Sequence, residues 1–213
     1  MLRRALIAVA GLALAAGIAS AQPVQTAPPT GSALDMGRIV RVDMETGAGK
    51  IVLELYPDKA PITVANFLHY VDTKRYNGTH IFRAYSAPNA PTFGLIQGVG
   101  FTDASKFYPP IKLEPTSQTG LHHGDGAISM AREAPNSAQA DFFILSGDTP
   151  SFDADPTKPG DNKGFAVFGR VVEGMDVVHA IMAMPKGGHA RNPAMAGQIL
   201  TNPVTIISVK REG

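Results

Sequence analysis

The usual constellations for making or breaking a covalent bond are absent from this 213-residue sequence. There is no cysteine, which excludes thiol catalysis, thiolate metal sites and a lipidated N-terminal cysteine. Neither a G-x-S-x-G elbow nor a glycine-rich phosphate loop ahead of a helix occurs. The sequence His122-His123-Gly124-Asp125 is the nearest approach to a metal cluster. Adjacent residues of a strand face opposite ways, so two neighbouring imidazoles seldom reach one ion. A metal-binding protein using His122, His123 or Asp125 stays as one alternative reading. Asp148, Asp153, Asp155 and Asp161 lack the spacing and the distal Glu of a calcium loop and read as a solvated acidic loop. What remains is Arg83 alone on an expected strand, with Gln97 on the next. Arginine is charged at every ordinary pH and needs no tuning. Taken singly, it is an ordinary surface residue, and Gln97 an ordinary backbone-satisfying amide. Of the neighbours Phe142 and Phe143, strand alternation sends one inward and one outward.

The elements that must position these residues are mostly short strands. Val40, Val42 and Met44 alternate with Arg41, Asp43 and Glu45; after Thr46-Gly47-Ala48-Gly49, Ile51, Leu53 and Leu55 alternate again. This is the pattern of a β-hairpin. Pro61 suits a first helical turn, and Val64, Phe67, Leu68 and Val71 fall on one helical face. Asn77-Gly78 marks the following turn, which also carries a glycosylation sequon. Further strands are expected at 79–84, 95–97, 127–131, 142–145, 166–172 and 204–210, with a second helix over 175–184. Phe82 and Phe168 read as interior. Eight strands and two helices suggest a closed antiparallel barrel plugged at its ends; periodicity alone leaves barrel and sandwich both open.

The N-terminus reads as an address. Arg3 and Arg4 precede an uncharged apolar run over 5–18, and Ala19-Ser20-Ala21 offers the small residues that a signal peptidase reads. The expected organisation is a signal peptide at 1–21, a Pro/Gly/Ser-rich linker at 22–36 and one domain over 37–213. An uncleaved anchor and twin-arginine export are the alternatives. Cleavage before Gln22 leaves 192 of the 213 residues, enough for one full core. Losing Arg3 and Arg4 takes the formal charge from +1 to −1. A near-neutral chain without basic clusters argues against nucleic acid as a partner. The expectation is therefore an exported protein, periplasmic or extracellular, monomeric and not inserted in the membrane once cleaved.

Four stretches then take on a joint meaning: KAPITVANFLHYVDTKRYNGT, YNGTHIFRAYSAPNAPTFGLIQGVGF, GAISMAREAPNSAQADFFILS and NKGFAVFGRVVEGMDVV. Together, and in this order, they resemble the cyclophilin-type peptidyl-prolyl cis-trans isomerases over about residues 39–210. The resemblance implies a mainly β fold, a closed eight-stranded antiparallel barrel capped by two α-helices, without cofactor or metal. It implies an outer groove for proline-containing peptides, with unfolded exported proteins as the natural partners. Arg83 falls on the family's catalytic arginine and Gln97 on its substrate-orienting glutamine. Phe143 matches the floor of the proline pocket; Leu95 and Phe152 match apolar pocket positions. Ala131 and Arg132 match the segment along the substrate backbone, where the family often has Asn in place of Arg132.

Departures from the family are concentrated around the groove. An insertion separates Arg83 from Gln97 and leaves Gly94 where an aromatic usually stands; Phe93 is the candidate replacement. Asp141 replaces a frequent Gln, which suggests an ion pair to Arg83. Ser151 aligns near a tryptophan linked to cyclosporin binding, and Phe165 with a groove-lining histidine, so weak cyclosporin affinity is expected. A binding module or chaperone with little turnover is the competing reading.

Overall fold

A computed structural model describes residues 35–212. The expected signal peptide, and all but the last two residues of the expected linker, lie outside the described residues. No described helix is long and apolar enough to cross a membrane.

The opening hairpin forms as its alternation predicts. Strands β1 (Val40–Thr46) and β2 (Gly49–Leu55) pair in register from Val40↔Leu55 to Thr46↔Gly49. The Thr46 hydroxyl ties the turn by donating to the Gly49 carbonyl at 2.6 Å. Helix α1 (Pro61–Asp72) follows, burying Val64, Phe67, Leu68 and Val71. Its first turn has no local side-chain cap. The buried Glu114 carboxylate supplies one from a distant loop, accepting the Ile62 and Thr63 N–H groups at 3.1 and 2.8 Å. These are donors that a helix start otherwise leaves unpaired.

Strands β3 (Thr79–Ala87) and β4 (Ala90–Val99) form a longer hairpin than the expected 79–84 and 95–97. The proline-bearing insertion is therefore not a loop. Pro88-Asn89 makes its two-residue turn between Ala87 and Ala90, a role proline and asparagine both favour. The remaining elements are α2 (Thr116–Thr119), β5 (Ala127–Met130), β6 (Phe142–Ser146), β7 (Ala166–Glu173), α3 (Met175–Ala183) and β8 (Ile199–Arg211). The four-residue α2 makes three α-helices among the described residues where periodicity suggested two; one helical turn is too short to carry a periodic signal.

The strands close in the order β1-β2-β7-β5-β6-β4-β3-β8, every pair antiparallel. Closure leaves no edge strand among the described residues, and the barrel that periodicity could not separate from a sandwich is the fold. Its interior holds Met44, Leu53, Ile81, Ile96, Ile128, Phe142, Ile144, Phe168 and Ile206. Phe67 of α1 plugs one end, with its ring 5.8 Å from Phe142 and 5.2 Å from Phe168. Helix α3 covers the other, with Val178, Ile181 and Met182 buried.

Phe82 departs from its expected place inside. The β3 register shifts between Ile81 and Arg83, against both β4 and β8. Ile81 and Ala84 are both buried in the core cluster, so two residues are spent outside between two inward ones. A bulge re-aims the side chains around it. Phe82 is thereby only partly buried, set beside Gly100, and Arg83 reaches the outer face.

Candidate active site

One row of residues crosses the outside of the barrel. Arg83 stands opposite Gln97, Gln97 opposite Phe143, Phe143 opposite Ser129, and Ser129 opposite Val167. Beside this row lies a second apolar cluster, separate from the interior: Tyr56, Leu95, Leu121, Ala127, Phe143, Leu145 and Val167. Ala131, Phe152 and Phe165 pack against it, partly buried. Phe143 meets Phe152 and Phe165 edge-on, at 5.7 and 5.4 Å between centroids. Phe142, its neighbour, faces the interior, as alternation requires. The rows thus bring Arg83, Gln97, Leu95, Phe143, Phe152, Phe165 and Ala131 to one face, a cation at one side and an aromatic wall at the other.

The Arg83 guanidinium is held by neutral amides alone. Nη1 donates to Gln97 Oε1 at 2.8 Å; Nε and Nη2 both donate to Gln198 Oε1, at 2.9 and 2.6 Å. Gln198 is itself oriented by its Nε2, which donates to the Ala194 carbonyl at 3.2 Å. Nothing in the sequence pointed to Gln198: it lies 115 positions from Arg83, just before β8. Burial pushes the Arg83 pKa below its ordinary value, with no carboxylate acting to raise it. The charge persists, since guanidinium stays protonated in proteins, and it is not neutralised. Two of its N–H bonds remain free to face a ligand.

Asp141 does not form the expected ion pair with Arg83. Its Oδ1 accepts the Gly100 N–H at 3.0 Å. Burial pushes its pKa up, opposed by the Gly100 and Val99 N–H groups. The side chain is spent on the turn after β4, one strand end away from the guanidinium.

Arg132 is placed as a brace. Its side chain is only 6% exposed and pairs with Asp161 through both terminal nitrogens, at 2.7 and 3.0 Å. Nε donates to the Gly164 carbonyl at 2.8 Å, and the guanidinium lies 5.2 Å over Phe165. Phe93 is 37% exposed and lies against Gly147, away from the Phe143–Phe152–Phe165 rings. Gly94 admits no side chain, because a Cβ there would sit 2.0 Å from the Tyr85 carbonyl oxygen.

His123 is committed on both nitrogens: Nδ1 is 2.7 Å from Asp153 Oδ1 and Nε2 is 3.0 Å from Ser129 Oγ. Among the described residues no three His, Asp or Glu side chains gather as a metal site would need. The acidic loop is not simply solvated either: Asp153 holds His122 and His123, and Asp161 holds Arg132.

Comparison with known proteins agrees with this geometry. Residues 41–211 match the family model described as cyclophilin type peptidyl-prolyl cis-trans isomerase/CLD. A peptidyl-prolyl cis-trans isomerase of Acinetobacter baylyi is 39% identical over 173 residues, covering 79% of this chain and 84% of that protein. Peptidyl-prolyl cis-trans isomerase B of Escherichia coli is 38% identical over 152 residues, covering 68% and 86%. Among solved structures, a cyclophilin type isomerase of Cryptosporidium parvum superposes with a TM-score of 0.63 at 18% identity, over 83% of this chain and 99% of that one. That protein has also been crystallised in the presence of the dipeptide Ala-Pro, with the same TM-score.

Proposed function

The chain belongs to the cyclophilin-type peptidyl-prolyl cis-trans isomerase family, and from that premise we propose that it is an isomerase that turns X-Pro bonds in its outer groove through Arg83. The observation that carries the mechanism is the unneutralised guanidinium fixed beside a wall of phenylalanines. An X-Pro bond rotates in roughly tens to hundreds of seconds unaided, because the planar amide is resonance-stabilised. At the twisted transition state that resonance is lost and the prolyl nitrogen regains a lone pair. An N–H of Arg83 directed at that nitrogen stabilises the twisted state over both planar ones, which is what acceleration requires. Gln97 holds Nη1 through Oε1, leaving its Nε2 to donate to the substrate carbonyl. Leu95, Phe143, Phe152 and Phe165 grip the ring and shed water from the amide. An acceleration of about 10⁵-fold asks for only ~7 kcal/mol of such differential contact. No covalent bond changes, so the want of a nucleophile or general base in this groove is no obstacle.

The natural substrates in this reading are proline-containing segments of unfolded exported proteins, met by a monomer in the periplasm or outside the cell. The charged n-region, the apolar run and Ala19-Ser20-Ala21 support export. N-terminal sequencing of the exported fraction is expected to begin at Gln22; a retained Met1 in a membrane fraction would contradict it. The reaction is tested by NMR exchange spectroscopy on a short X-Pro peptide, wild type beside Arg83→Ala. Fast exchange that disappears in the variant is the expected result. Binding without acceleration by the wild type would make the protein a proline-segment binding module.

A further inference from the structure

The imidazole of His123 lies directly behind the aromatic wall of the groove. Its side chain has no exposed surface. The ring is parallel to Phe143, at 6.1 Å and 12°, and edge-on to Phe152 and Phe165, at 5.9 and 6.3 Å. The Ser129–His123–Asp153 connectivity resembles a hydrolytic relay, but Ser129 is fully buried, so no substrate carbonyl can approach its hydroxyl. The arrangement needs another use.

We propose that His123 is a positioning residue of the proline pocket, a strut that fixes the Phe143 and Phe152 rings relative to each other. The proposal rests on the groove's being the X-Pro site. Nδ1, at 2.7 Å from a carboxylate oxygen, must carry the proton and donate; Nε2 then accepts from the Ser129 hydroxyl. Those two bonds set both the tautomer and the plane of the ring. Each bond ends at a point that carries a pocket wall: Ser129 is paired with Phe143 across β5–β6, and Asp153 directly follows Phe152. Asp153 is fastened further by the His123 N–H and by His122 Nδ1, each at 3.0 Å. Without the strut, the short 3-10 turn bearing Phe152 is free to drift from Phe143, and the pocket loses its width.

Asp153 and His122 are the charged or titratable groups that meet this imidazole, and Ser129, Phe143, Phe152 and Phe165 enclose it otherwise. Burial favours the neutral ring, against the pull of Asp153. Protonating Nε2 would leave the ring and the Ser129 hydroxyl as two donors until the hydroxyl turned away. Pocket affinity therefore weakens in acid while the Arg83 charge does not change.

The test compares wild type, His123→Phe and His123→Asn by NMR exchange and by peptide titration, with Arg83→Ala as the reference for chemistry. His123→Phe keeps an aromatic ring but neither hydrogen bond. It is expected to raise KM about tenfold while changing kcat by less than about twofold. His123→Asn keeps a donor toward Asp153 and should recover part of that loss. Wild-type affinity should fall as the pH drops below the ordinary imidazole value of about 6.5, and His123→Phe should be flat. Should His123→Phe fail to fold, Ser129→Ala removes only the Nε2 partner and is expected to raise KM by a smaller factor. Unchanged KM in His123→Phe or Ser129→Ala, beside an inactive Arg83→Ala, overturns the strut and leaves the isomerase standing. A wild type that neither binds nor turns over the peptide removes the premise and the strut together.

Discussion

Gln198 holds Arg83 from the side away from Gln97: its single Oε1 accepts from Nε at 2.9 Å and from Nη2 at 2.6 Å. Gln97 takes only Nη1. The guanidinium is thereby fixed in plane by two neutral amides, a choice that keeps its charge whole. A carboxylate at either position would hold it as firmly and cancel the field it is there to supply. Gln198→Ala is expected to lower kcat/KM about tenfold, ~1.4 kcal/mol of transition-state stabilisation. Gln198→Glu should lower it too, despite keeping an acceptor. Exchange spectroscopy on one X-Pro peptide measures both, and a Gln198→Glu enzyme faster than wild type would refute the neutral-clamp account.

Arg83→Ala should cost about 10²- to 10³-fold in kcat, the scale for losing one preorganised donor. Arg83→Lys should recover little, because an ammonium cannot keep the planar fork that the two glutamines hold. Since Arg83 is half-buried on the barrel's outer face, the thermal midpoint should move by no more than about 2 °C in either variant. Calorimetry separates this from a folding defect.

Phe143 and Leu95 belong to both the groove and the outer apolar cluster, and each is no more than 6% exposed. Phe143→Ala is expected to destabilise by about 3–5 kcal/mol and Leu95→Ala by about 2–5 kcal/mol. Each should also weaken peptide binding, read from denaturant titrations and peptide titrations on the same samples.

Gly94→Ala tests the insertion. The new methyl would meet the Tyr85 carbonyl oxygen at 2.0 Å, and a backbone atom cannot step aside as a side chain can. The β3–β4 hairpin has to open, at a cost of about 1–3 kcal/mol. Hydrogen exchange should show it as lost protection around 85–95.

Stability should fall in mild acid. The folded-state pKa of His123 is lowered, chiefly by burial, so the unfolded chain binds its proton first. Its contribution is complete above the unfolded value near about 6.5 and declines as pH drops toward the folded one. Asp153 adds a second loss at lower pH. Burial raises its pKa, but the hydrogen bonds from His123 and His122 outweigh that and hold it low. Denaturant midpoints should be lower at pH 5 than at pH 7. His123→Phe should remove the first step and keep acid sensitivity only below it.

Local period is enough for the opening hairpin and the buried face of α1, because a side chain's facing is set by its neighbours along the chain. Period says only that one of Phe142 and Phe143 turns inward; placing Phe142 in the interior, Phe143 in the groove and Gln97 beside Arg83 takes the resemblance to the cyclophilin-type family as well. The remaining features depend on how distant segments meet. The bulge at Phe82 breaks the period it would be read from. Glu114 caps a helix more than 50 residues before it, Gln198 clamps an arginine 115 residues away, and Asp153 reaches His123 across 30. Asp141 turned from Arg83 to the Gly100 N–H for the same reason. A partner for a polar group is chosen by which segments closure of the barrel brings within 3 Å, and that depends on every strand's register at once.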